Sequence, residues 1–132
     1  MTLKEKAMEY FDEKGYNCCQ AVVCAYCDVY GVDDKEIFKL AEGFGGGMGG
    51  LQETCGALTG AFMAIGMQNS AGDCENPTLT KMDTYKAVQQ LAREFETING
   101  SMICRELKTD RVSCQRCVAS GAELVEKFVQ NK

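Results

Sequence analysis

The sequence predicts an all-α, single-domain fold of about six helices with a glycine-rich loop near its centre, and three observations carry that expectation. Apolar residues recur at helical spacing along most of the chain. Gly, Asn, Asp, Ser and Thr punctuate the periodic stretches where helix caps and stops belong. A length of 132 residues, 45% hydrophobic with one proline, suits one compact domain with a real core.

Leu3, Ala7, Tyr10 and Phe11 mark a first short helix that ends before Gly15. Asn17 is a natural N-cap for a second, in which Cys18, Val22, Ala25 and Val29 form a stripe that stops at Gly31. Asp33 or Asp34 caps a third through Ile37, Phe38, Leu40 and Ala41. From Gly43 to Gly50, six of eight residues are glycine. Thr54 then caps a helix that begins at Cys55 and runs to about Gln68, with Gly56, Gly60 and Ala64 on one side, where another backbone can come close. Asn69 to Pro77 reads as a loop. Thr80 opens a long amphipathic helix with Met82, Tyr85, Val88, Ala92 and Phe95 on one face, stopping at Asn99-Gly100. Ser101 to Lys108 forms one short helix with Cys104 in its first turn, and the last helix starts near Ser113 or Cys114 and carries Val118, Ala122, Val125 and Val129.

Composition removes whole classes of function. The chain has no histidine, which excludes Ser-His-Asp and Cys-His catalysis, His-ligated zinc and the C-x-x-C-H attachment of c-type haem. A net charge of -5 and a pI near 4.8 leave no positive surface for nucleic acid. The longest nearly apolar stretch, Ala57 to Met67, is about half of the roughly 20 residues that a spanning helix needs. The N-terminal Met-Thr-Leu-Lys-Glu-Lys lacks the order of charges and apolar residues of a secretory signal, so a cytoplasmic location is expected.

Nine cysteines in such a chain point to metal, redox chemistry or buried apolar thiols, and an odd count leaves at least one free. Cys18, Cys55, Cys104 and Cys114 each fall at or within the first turn of an expected helix, where unpaired N–H groups and the macrodipole favour a thiolate. Four thiolates from four helix starts can meet at one site. As metal ligands they suit zinc or an iron–sulfur cluster, the soft partners of all-cysteine sites; as thiols they suit disulfide exchange. Cys114-Gln-Arg-Cys117 has dithiol spacing at a helix start. Cys24 and Cys27, three apart, lie on the far side of their helix from Cys18, as packing or partner-facing residues. Cys74, between Asp73 and Glu75, is incidental. Consecutive glycines can cradle an anion, but no strand precedes the run and no G-K-[ST] follows. The plainer alternative is a helical adaptor or assembly protein whose cysteines are packing, and the apolar faces also suit a homodimer.

The motifs Asn17-Cys18-Cys19-Gln20-Ala21-Val22, Gly45-Gly46-Gly47-Met48, Glu53-Thr54-Cys55-Gly56-Ala57-Leu58-Thr59-Gly60 and Cys104-Arg105-Glu106-Leu107, with a final cysteine before a helix, resemble the C_GCAxxG_C_C family of redox-active proteins over nearly the whole chain. The resemblance implies a redox role that needs an electron-exchange partner, and makes Cys18, Cys55 and Cys104 family cysteines. The fourth is Cys114 or Cys117, with Cys114 preferred because it stands four residues before Val118. Gly45, Gly46, Gly47 and Gly56 are the glycines expected at any cofactor. A related domain occurs in split-Soret cytochromes, but this chain lacks their haem-attachment motif, so covalent haem is not implied. Cys55, next to clearing glycines and a helix start, is expected to be the accessible thiolate, with Glu53 as a weaker opposing charge.

Overall fold

The structure, a computed structural model, describes residues 1–131. Seven helices make up the described chain: α1 (Leu3–Asp12), α2 (Cys18–Val29), α3 (Lys35–Glu42), α4 (Gly56–Asn69), α5 (Lys81–Asn99), α6 (Cys104–Thr109) and α7 (Cys114–Gln130). Between α3 and α4 the glycine run makes one irregular turn at Gly45–Met48, with φ of +65° at Gly46 and +73° at Gly47. Those angles suit glycine and break the helical path. Among the described residues there is no strand, only a single antiparallel bridge between Thr54 and Ile103.

The core is built on α2. Every residue from Cys18 to Cys27 is buried, including Gln20, whose amide nitrogen donates to the Phe38 carbonyl at 3.1 Å. A helix apolar nearly all round has to be enclosed on all sides. Here α1, α3, α4 and α7 enclose it, and α5 closes over α4 and α7. The small-residue side of α4 does what its pattern implies. A Cβ added at Gly60 would stand 2.6 Å from the Cys19 carbonyl oxygen, so the two backbones are in direct contact. Gly121 also brings α7 close to α4, where an added Cβ would lie 3.1 Å from the Ala57 oxygen.

Several caps differ from expectation. Asn17 caps α2 with a full capping box, its side chain accepting from the Gln20 N–H at 2.9 Å and the Gln20 side chain from the Asn17 N–H at 3.0 Å. Ser113 likewise accepts from the Arg116 N–H. Thr54 does not cap α4: it is drawn into the bridge with Ile103, and Cys55 occupies the N-cap position. The Thr80 hydroxyl accepts from the Ala71 N–H instead of its own helix, while at α3 Asp34 holds the N-cap position and the Asp33 carboxylate accepts from the Lys35 N–H at 3.1 Å. Along α5, Met82 and Tyr85 are exposed while Leu91 and Phe95 are buried, so only the second half of the expected stripe meets the core. No helix among the described residues is long and apolar enough to cross a membrane.

Candidate functional site

The four cysteines singled out at helix starts come together. Cys18, Cys55, Cys104 and Cys114 line one cavity of about 160 Å³, and Cys117 lines it with them. Phe11, Leu107 and Val112 supply its apolar wall, and Asn17, Gly46, Gly56 and Lys108 complete it.

Two sets of backbone bonds assemble this arrangement. The bridge between the segments before α4 and α6 is made by the Cys55 N–H to the Met102 oxygen at 2.9 Å, the Cys104 N–H to the Glu53 oxygen at 2.6 Å and the Arg105 N–H to the Gln52 oxygen at 3.1 Å. It sets Cys55 and Cys104 side by side. Asn17 holds the third wall, its Nδ2 donating to the Glu42 oxygen at 3.0 Å and so tying the start of α2 to the end of α3. The glycines then allow the approach. An added Cβ on Gly56 would collide with the Cys18 sulfur, and one on Gly47 would stand 2.6 Å from the Cys104 Cβ. Gly45 packs on the Asn17 side chain. Of the four glycines expected at a cofactor, Gly46 and Gly56 face the cavity, whereas Gly47 sits behind the Cys104 thiol and Gly45 against Asn17.

Backbone N–H groups reach the sulfurs as the helix-start positions imply: those of Gly46 and Cys19 at Cys18, and those of Ala57 and Leu58 at Cys55. Burial nonetheless pushes the Cys18, Cys104 and Cys114 thiols up, with the Lys108 charge opposing it at Cys104 and Cys114. The Cys55 and Cys117 thiols, both on the cavity wall, lie within reach of each other. Their interaction raises the pKa of Cys55 and lowers that of Cys117, with burial adding to the rise at Cys55 and resisting the fall at Cys117. The expectation that Cys55 is the accessible thiolate is therefore corrected: it is 6% exposed, and the neighbouring Cys117 thiol and burial both push its pKa up.

Cys24 and Cys27 are fully buried on α2, away from the cavity, and burial lifts them to about 12 and about 11. Cys74 is exposed in its loop. Arg105 does not face a thiol; it lies 3.7 Å from Glu53. Sequence reasoning left Cys117 as a rival for the fourth place, and the cavity takes both it and Cys114. It missed Lys108, which stands four residues after Cys104 and hence on the same side of α6, a spacing that pointed to it. Among the described residues no three Cys, Asp or Glu side chains are placed to hold a metal ion.

Fold and cavity define an all-helical protein with clustered thiols. The chain belongs to the family described as "Putative redox-active protein (C_GCAxxG_C_C)", whose model matches residues 16–128. It is similar to an uncharacterized protein of Archaeoglobus fulgidus, 27% identical over 135 residues that cover 92% of this chain and 89% of that one. No solved structure matches it.

Proposed function

We propose that the protein is a thiol-redox protein in which Cys55 and Cys117 cycle between a dithiol and a disulfide. The observation that carries this reading is the placement of Cys55 and Cys117 together in one cavity walled by three more thiols, where each shifts the ionisation of the other. That coupling lets the pair ionise once more readily than an isolated buried thiol, and the charge then sits on Cys117. In the net reaction the pair gives two electrons and two protons to a disulfide R–S–S–R. One S–S bond breaks to give two R–SH, and one forms between Cys55 and Cys117. Apolar side chains of Phe11, Leu107 and Val112 flank the sulfurs. Helices α4 and α7 touch closely through Gly121 and Ala57, so the two sulfurs are carried on packed elements.

Equilibration of the full-length protein against a graded thiol/disulfide buffer under anaerobic conditions tests the reading. Two thiols per chain should be lost and regained together in one two-electron step, peptide mapping should find them joined as Cys55–Cys117, and Cys117→Ser should abolish the step. A sample isolated anaerobically that carries stoichiometric iron or zinc on these cysteines, or one that titrates no thiol pair, contradicts the proposal.

A further inference from the structure

The geometry points to Cys114 as the entry thiol of this pair, and to Lys108 as the group that selects what enters: a small disulfide bearing a carboxylate or similar negative charge beside its sulfurs. The inference rests on the Cys55/Cys117 reading and names its substrate class.

Of the five thiols on the cavity, Cys114 alone is exposed, while Cys117 and Cys55 are buried. Cys114 opens α7 and Cys117 follows one turn later on the same side of the helix. At that spacing side chains stand about 5–6 Å apart at Cβ, near enough for a disulfide after a small local adjustment. Cys117 in turn shares the cavity wall with Cys55, within reach of it. Three sulfurs thus run in sequence from solvent to core.

The chemistry follows that order. The Cys114 thiolate attacks R–S–S–R, forming a Cys114–S–S–R bond and releasing R–S⁻, which takes up a proton. Cys117 attacks the Cys114 sulfur and expels the second R–S⁻. Cys55 gives up its proton and attacks Cys117, which closes the Cys55–Cys117 bond and returns Cys114 to a thiolate. Two electrons and two protons leave the protein and two R–SH are formed, so the balance is that of the net reaction.

Lys108 is the one charged side chain on the wall of the cavity, and no ion pair engages it among the described residues. Acidic neighbours are occupied elsewhere: Glu53 lies by Arg105, and the Glu106 carboxylate accepts from the Ser101 hydroxyl at 2.6 Å. Because the whole chain carries -5, the general field repels anions. Any preference for a negative disulfide has to come from Lys108 itself, and a cavity of about 160 Å³ with apolar walls limits the remainder of the substrate to a small group.

The test uses the full-length reduced protein in a Cys74→Ser background, which removes the exposed loop thiol. It is mixed anaerobically with dithiodiglycolate (anionic), hydroxyethyl disulfide (neutral) or cystamine (cationic), quenched with acid and mapped by mass spectrometry. The first adduct should sit on Cys114, and the anionic probe should react about tenfold faster than the cationic one at low salt. Lys108→Gln should bring that ratio close to one. Cys114→Ser should slow all three probes by about tenfold or more, while diamide, a small two-electron oxidant, still closes Cys55–Cys117. A first adduct on another cavity thiol, an unchanged ratio in Lys108→Gln, or an unslowed Cys114→Ser overturns the inference and leaves the redox pair standing. Failure of diamide to close the pair in the unaltered protein overturns both.

Discussion

Cys55 shows how two local forces on one sulfur are decided by a third. The N–H groups of Ala57 and Leu58 favour its thiolate, burial opposes it, and the neighbouring Cys117 thiol pushes it further up. The consequence is readable in rates, since only the thiolate alkylates. Cys117, with its pKa lowered, should hold its rate below the ordinary thiol value of about 8.5 and lose it only at lower pH. Cys55, raised, should gain rate only in alkali. Brief iodoacetamide treatment at neutral pH, mapped by mass spectrometry, should place Cys117 ahead of Cys55, with Cys19, Cys24 and Cys27 slowest; Cys55 reacting before Cys117 would reverse the proton assignment. The motif made Cys55 conspicuous in the sequence. Its partner was hidden because the contact joins residues on two helices far apart in the chain, and no local pattern encodes it.

Among the elements, the crossing of α2 and α4 is the most constrained. Gly60→Ala would set a methyl group against the Cys19 carbonyl and should cost about 1–3 kcal/mol. Gly66→Ala, on the same helix with no atom within 4 Å of the added Cβ, should stabilise by about 0.5–1 kcal/mol through helix propensity. Urea denaturation of both variants gives the comparison, and equal effects would mean that the crossing is looser than described. The helices themselves were legible because period and caps are local signals: the Asn17 capping box and the Gly60 stripe are both visible in the chain. Thr54 and the exposed start of α5 were not. A threonine before a helix reads as a cap until a distant segment, here Ile103, claims its backbone, and an apolar stripe does not say where its covering helix ends.

For the molecule as a whole, the buried thiols outside the cavity tie stability to pH. Cys19 and Cys24 are held at about 12 and Cys27 at about 11, each by burial, against about 8.5 for an unfolded thiol. A raised pKa contributes stability that is complete below the unfolded value and is lost as pH climbs toward the folded one. The unfolding free energy from urea titrations should therefore fall between pH 8.5 and 11, by at most about 1.4 kcal/mol per pH unit for each thiol, lowering the midpoint, and Cys24→Ala should flatten that fall. A midpoint constant from pH 8 to 10.5 would contradict it. Family membership was legible in the sequence for a physical reason: the motif glycines are those that leave room for the thiols, at Gly56 for Cys18 and at Gly47 for Cys104. What no motif could supply was the inclusion of both Cys114 and Cys117 in one cavity, which depends on how α7 lies across α2 and α4. The central claim, that Cys55 and Cys117 form the redox pair, is tested most directly by peptide mapping of the protein after one equivalent of diamide under anaerobic conditions. The account predicts a Cys55–Cys117 disulfide as the main crosslink; a main crosslink between other cysteines, or none, would contradict it.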